Sequence, residues 1–256
     1  MKSRTSLNCA AIFLGVVLAL ASTGNAATSS INPSADAFVT TGPSGNLSGN
    51  NYGGAGALSV AAPGLSQGEF QTLLQFSLSG TKTAFDSQFG VGQWTIQSVT
   101  LQLTATTPNN PIFNSSAAGQ IGISFMQNDS WLEGSGTPQS PTTVGITYSS
   151  LNSFLSPSDQ GVGTFSFNGA TSGNSTYTLT LSSSLAADIL AGNNVSLRLF
   201  AADSTVSGLF DSRSFTTTAA RPVLTVTAVP EPGSLAFGAG VVCLLLCCRV
   251  AARAGR

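Results

Sequence analysis

Between Trp94 and Ala105 apolar and polar residues take turns. Trp94 and Ile96 stand against Thr95 and Gln97, and then Val99, Leu101 and Leu103 stand against Thr100, Gln102 and Thr104. A period of two sends successive side chains to opposite faces of an extended chain, so this stretch predicts a strand with one face buried. The same pattern recurs in shorter form along the chain. Asp36–Thr40, Ala57–Ala62, Phe70–Leu78, Gln120–Gln127, Gly163–Phe167, Thr176–Leu181, Val195–Ala201 and Pro222–Thr227 all read as strands. In the third of these Leu74, Phe76 and Leu78 share a face, and in the seventh Val195, Leu197 and Leu199 do.

The connections carry turn chemistry. Residues 42–56 are crowded with Gly, Asn and Ser, which supply positive φ and local side-chain turns. Thr137–Thr143, with two prolines, reads as an ordered loop. Only Ser183–Ala191 has a helical pattern: Ser183 or Ser184 as cap, Leu185, Ile189 and Leu190 on one face, Gly192 as terminator. Eight or more short strands with one short helix predict an all-β fold, an antiparallel jelly-roll-like sandwich.

Both ends of the chain differ from this middle. Lys2 and Arg4 precede the apolar stretch Cys9–Ala21, and Gly24-Asn25-Ala26 supplies small residues, so residues 1–26 read as a signal peptide cleaved by signal peptidase after Ala26. Cys9 lies before most of the apolar run rather than after it, which argues against a lipoprotein. At the other end Pro230 and Pro232 fix their own φ and restrict the residue before each, predicting a stiff extended break over Val229–Gly233 that nothing regular crosses. Ser234–Cys248 is uncharged and predicts a transmembrane helix, followed by Arg249, Arg253 and Arg256 on the cytoplasmic side. That run is shorter than the ~20 residues that span a bilayer comfortably. It suits a transient anchor better than a permanent one. The chain thus divides into residues 1–26, one domain at 27–228, and a terminal segment at 229–256.

The order Val-Pro-Glu-Pro-Gly-Ser, apolar helix and basic tail resembles a PEP-CTERM sorting signal. The resemblance implies an exported protein of a Gram-negative bacterium that makes exopolysaccharide. It also implies recognition of Pro230, Glu231 and Pro232 by an exosortase-type processing protease. Tethering to the inner membrane would be transient, with the cell surface or extracellular matrix as destination.

Composition narrows what the middle domain does. All four cysteines (Cys9, Cys243, Cys247, Cys248) lie in the terminal segments and the chain has no histidine. Disulfides, Cys-His and Ser-His-Asp nucleophiles and zinc sites are therefore excluded there. Lys82, Arg198, Arg213 and Arg221 face Asp36, Glu69, Asp86, Asp129, Glu133, Asp159, Asp188, Asp203 and Asp211. A net acidic domain argues against nucleic acid and against anionic lipid as partners.

Several landmarks occur in order across the domain: Ala35-Asp36-Ala-Phe-Val, Asn51-Tyr52-Gly53, Gln71–Leu78, Ile96–Leu103, Phe210–Phe215 and Arg221–Val226. With Ser130–Pro138 and Gly145–Tyr148 they resemble a DNRLRE-type β-sandwich domain and its tryptophan-glutamate loop. The resemblance implies a jelly-roll-like sandwich on cell-surface proteins, in some cases carbohydrate-binding. The chain departs from that pattern where Gln71 or Gln75 replaces a basic residue and Ser214 an acid, which withdraws any charged or metal-linked site built there.

Candidate contacts for a glycan are Trp131, Glu133, Tyr52 and Tyr148. Asp129 and Glu133 flank an indole on which a sugar ring would stack, so the alternative function is a carbohydrate-active enzyme, a glycosidase or lyase using these carboxylates. The loop would otherwise plug one end of the sandwich. Asp203, Asp211 and Asp36 are oxygen donors of the kind calcium takes, and a structural Ca2+ is a candidate; a salt bridge from Arg213 or Arg221 to one of them is the plainer expectation. No other cofactor is implied. The resulting expectation is a non-enzymatic envelope or matrix protein, structural or weakly binding exopolysaccharide, with the membrane as partner during export.

Overall fold

A computed structural model describes residues 25–231. The signal segment up to Gly24, Pro232 and the expected transmembrane helix 234–248 with its basic tail lie outside the described residues. Among the described residues no helix is long and apolar enough to cross a membrane.

Among the described residues eleven strands form two sheets. They are β1 (Ala27–Ile31), β2 (Ala35–Thr40), β3 (Ala57–Ala61), β4 (Phe70–Ser77), β5 (Trp94–Thr104), β6 (Gly119–Met126), β7 (Gln160–Phe167), β8 (Asn174–Leu179), β9 (Asn194–Ala201), β10 (Ser207–Asp211) and β11 (Val223–Pro230). The first sheet runs β1-β11-β5-β8 and the second β10-β3-β4-β9-β6-β7, with β2 joined to β4 beside that path. Every pairing whose register is described is antiparallel. The expectation of a mainly antiparallel β protein holds.

The strands of the two sheets are built differently. In β11 Leu224, Val226 and Ala228 are buried while the residues between them stay partly exposed, the signature of a sheet with one wet face. β4 instead buries five consecutive residues, Phe70 to Leu74. It pairs with β2 through Phe70–Gln75 and with β9 through Thr72–Ser77, so those two strands lie on opposite sides of it. Phe70, Thr72, Leu74 and Phe76 therefore point to one face of the sheet, and Gln71, Leu73 and Gln75 to the other. The periodic reading caught only the first face, because the second is covered by a loop.

Among the described residues helices number three where one was expected within the domain: α1 (Ser79–Phe89), α2 (Tyr148–Leu151) and α3 (Ser183–Ala191), with a 3-10 turn at Thr218–Ala220. α3 has the expected bounds, but its cap is Ser182, whose hydroxyl accepts the Leu185 N–H. It ends at Gly192 in the left-handed region. α1 escaped notice because its large apolar side chains are only Phe85 and Phe89, too few to show a period. α2 is a single turn fixed by a reciprocal cap between Thr147 and Ser150.

The chain clusters into two compact units, residues 28–84 with 96–227, and residues 85–95 with the two ends. Within the smaller one the ring of Phe85 meets Trp94 edge-on at 5.0 Å, and the Trp94 indole N–H donates to Asp86 Oδ1 at 2.9 Å. The Glu231 N–H donates to the Gln93 carbonyl at 2.9 Å. Here the expected break is corrected: β11 continues through Val229 and Pro230. A proline is compatible with the extended backbone of a strand end, where its missing N–H is not needed.

Candidate functional site

The segment between β6 and α2 organises the larger unit. It leaves β6 through an Asn128 turn, in which Asn128 Oδ1 accepts from the Ser130 N–H at 2.9 Å. The Asp129 carbonyl accepts from Gln75 Nε2 at 2.7 Å. Trp131, 3% exposed, packs among Ala37, Val39, Leu73, Met126, Ile146 and Leu151. Its indole N–H donates to Ser196 Oγ at 3.0 Å. The loop therefore lies over the face of the second sheet that carries Leu73 and Ser196.

Asn51 fastens the far side of the loop. Its Nδ2 donates to the carbonyls of Glu133 (2.7 Å) and Ile146 (2.8 Å), and its Oδ1 accepts from Gly53 (3.2 Å) and Gly136 (3.1 Å). A buried amide whose four bonds are made stabilises one arrangement of the chains it joins. Gly134, at φ +77°, lies so close that a Cβ there would be 2.2 Å from Asn51 Oδ1. No other residue fits.

Below this knot sits the first charged cluster. Arg213, just after β10, embraces Glu133 with both branches: Nε donates to Oε1 at 2.7 Å and Nη2 to Oε2. Glu133 Oε1 also accepts the backbone N–H of Asp36 at 3.1 Å, while Asp36 Oδ2 accepts the backbone N–H of Arg213 at 2.6 Å. Asp36 is 1% exposed. Burial above all pushes its carboxyl up to about 7, the Arg213 N–H opposing and the charge of Glu133 reinforcing. The hydrogen bond to Glu133 raises Arg213 in turn.

A second cluster lies further along the same sheet face, because Ser196, Arg198 and Phe200 alternate with the inward Val195, Leu197 and Leu199. Tyr148 O–H donates to Glu69 Oε2 at 2.6 Å, and Gln71 Nε2 donates to Glu69 Oε1. Arg198 Nε donates to Gln71 Oε1 at 2.6 Å, its guanidinium 4.7 Å above the Phe200 ring. Burial raises the Tyr148 hydroxyl to about 12, helped by Glu69, and burial lowers Arg198. Phe200 rests on Gly122, where a Cβ would be 2.6 Å from Phe200 Cζ. Both Arg198 and Phe200 remain half-exposed.

The candidate residues fall in different places. Tyr52 is 1% exposed, stacked on Phe38 with centroids 4.9 Å apart, so neither it nor Trp131 offers a ring face to solvent. Glu133 is held by Arg213, and Tyr148 stays half-buried in the second cluster. Asp129 lies beside Ser196 of β9 while Glu133 closes on β2, so β4 runs between the two carboxylates considered for a carbohydrate-active enzyme. Burial raises the Asp129 carboxyl.

The acids considered for calcium do not meet. Asp203 accepts the amide N–H groups of Gln120, Thr205 and Val206, and these bonds hold its carboxyl below the usual range. Asp211 faces Thr106, and Asp36 faces Arg213. Among the described residues no three His, Cys, Asp or Glu side chains are grouped to hold a metal. Arg221 donates to the Phe215 carbonyl rather than to an acid. Of the terminal marks, Ala26 is exposed just before β1, Pro230 is half-buried at the end of β11, and Glu231 is exposed.

Glu69, Arg198 and Phe200 were not singled out from sequence. The signal was there in the outward phase of β9, where a cation and a ring two residues apart interrupt a row of small polar residues. Neither the protein-family models nor the curated proteins contain a match to this chain, so the two family resemblances stand on the quoted residues alone.

Proposed function

We propose that this chain is an exported, non-enzymatic β-sandwich of jelly-roll type, carried to the cell surface or extracellular matrix by its C-terminal sorting segment. There it serves as a structural module that binds neutral glycan weakly. The observation that best supports the binding half is the open end of the sheet face beside the tryptophan loop. The exposed part of Phe200 offers an apolar edge to a sugar, and the partly exposed Arg198, Glu69 and Tyr148 flank it with hydrogen-bonding groups. Arg198 and Glu69 are joined through Gln71 and Asp159 adds its charge nearby, so the patch carries no excess positive charge and suits a neutral polysaccharide better than an acidic one. The engagement of Glu133 by Arg213 supports a scaffold over a hydrolytic site, because a general acid or base needs a carboxyl free to exchange its proton with substrate.

Retention of the protein on immobilised exopolysaccharide tests this directly. Binding of roughly millimolar strength that disappears in Phe200→Ala is expected; no retention at that strength removes the glycan half. Release of reducing ends that vanishes in Glu133→Gln would favour the enzyme instead. Intact-mass measurement of the protein recovered from cells reports the processing: loss of mass at both ends is expected, and loss at Ala26 alone means the C-terminal helix is kept.

A further inference from the structure

Two carboxyl groups and one guanidinium meet where Asp36, Glu133 and Arg213 converge. The side chains of Arg213 and Glu133 are 37% and 16% exposed, and Asp36 is 1% exposed. Arg213 serves both acids, Glu133 through its guanidinium and Asp36 through its backbone N–H. With all three ionised the cluster would hold an uncompensated negative charge on its most buried member. A carboxyl buried beside a second carboxylate keeps its proton to higher pH than an isolated one.

We propose that this cluster is a proton-operated latch: with the buried Asp36 carboxyl protonated beside Glu133 the tryptophan loop is fastened to the edge of β2, and loss of that proton loosens it. The fastening is the bond from the Asp36 N–H to Glu133 Oε1, made on the edge of β2 turned away from β4. Repulsion between two ionised carboxylates acts on that bond directly. It is passed to the Glu133 carbonyl, held by Asn51, and to Trp131, two residues earlier in the loop. Released, the loop uncovers Ala37, Val39, Leu73 and Met126.

The charged groups acting on Asp36 are Glu133 from the loop and Arg213 from the turn after β10; β4 places the apolar Leu74 opposite it. The direction follows from proton linkage. The folded state keeps a proton on this carboxyl that the unfolded chain releases near 3.8, so the latch is closed at acid pH and opens as pH rises through about 7.

Hydrogen exchange of the full chain between pH 5 and 8.5, corrected for intrinsic rates, tests the latch on the amides of residues 128–147. Wild-type protection there should fall about tenfold or more as pH passes neutrality, while Asp36→Asn and Glu133→Gln, each with one carboxylate left for Arg213, should show little or no fall. A flat wild type, or an unchanged slope in both variants, overturns the proposal. Should neither variant fold, the carboxyl carbon of Asp36 is read directly in the wild type by NMR. A midpoint near neutrality is expected, and one in the ordinary carboxylate range sinks the latch.

Discussion

One face of the second sheet is finished in two ways. At one end the loop with Trp131 covers Ala37, Val39, Leu73 and Met126, and its charged fastening sets two acids against one arginine. At the other end Arg198 and Phe200 stay partly exposed, and Arg198 is joined to Glu69 through the neutral amide of Gln71, with Asp159 adding its charge. The parts are alike; the linkage and the burial of the acids differ. Where an amide stands between the charges and the arginine is partly exposed, the cluster is a surface feature. Where one acid is buried beside another, similar groups make a joint whose strength depends on a proton.

The contrast breaks most completely if the cover is removed. Trp131→Ala deletes a buried indole and its bond to Ser196, and large aromatic truncations in cores cost about 3–5 kcal/mol. Urea unfolding should show that loss. If the loop were only laid on the surface, the loss would stay below about 1 kcal/mol.

Arg213→Ala should rank next, near 2–3 kcal/mol, less than the loss from breaking a fully buried pair because the guanidinium is 37% exposed. Adding Asp36→Asn should restore part of it by removing the second charge. The matching change in the open cluster, Arg198→Ala, should cost about 1 kcal/mol, since Glu69 and Gln71 can then turn to water. Equal costs for the two arginines would dissolve the comparison.

The pH dependence sharpens it further. Because the folded pKa of Asp36 is raised, its contribution to stability is fully present below about 4 and is lost as pH rises to about 7. Asp36→Asn should therefore gain on the wild type across that window, by at most roughly 4 kcal/mol at pH 8, and keep a constant lead above it. Chemical denaturation at a series of pH values reads the difference, in which contributions from Asp129, Asp203 and Asp211 cancel.

These clusters show what was legible in the sequence and what was not. The bounds of α3 could be read because Leu185 and Ile189 face the core from a helix bounded by a serine and a glycine, all local signals, although the cap is Ser182 and Leu190 is exposed. β10 left no trace as a strand: all five residues, Ser207 to Asp211, are buried, so there is no alternation to see. The expectation of a sugar-stacking Trp131 took its neighbours Asp129 and Glu133 as partners because they are close in sequence. In the fold Glu133 bonds to Arg213 instead, 80 residues away, and Asp36 to Arg213 across 177. Such pairings come from strand order, and no periodicity reports strand order. The plainer expectation, an arginine joined to an acid, was right about Arg213 and wrong about which acid.

The smallest effect on stability carries the most about function. Phe200 is half-exposed and lies on Gly122 with Arg198 beside it, so Phe200→Ala removes part of an aromatic contact and one cation–π interaction, together about 1 kcal/mol. Protection of the loop amides should be unchanged, because Trp131 rests on Ser196 and Leu73 rather than on this ring. Retention on exopolysaccharide should nevertheless be lost. That combination, a nearly silent change in stability with complete loss of binding, separates an open face kept for a ligand from one the loop is merely too short to cover. Retention that survives Phe200→Ala but fails in Trp131→Ala would reverse the assignment of the two ends.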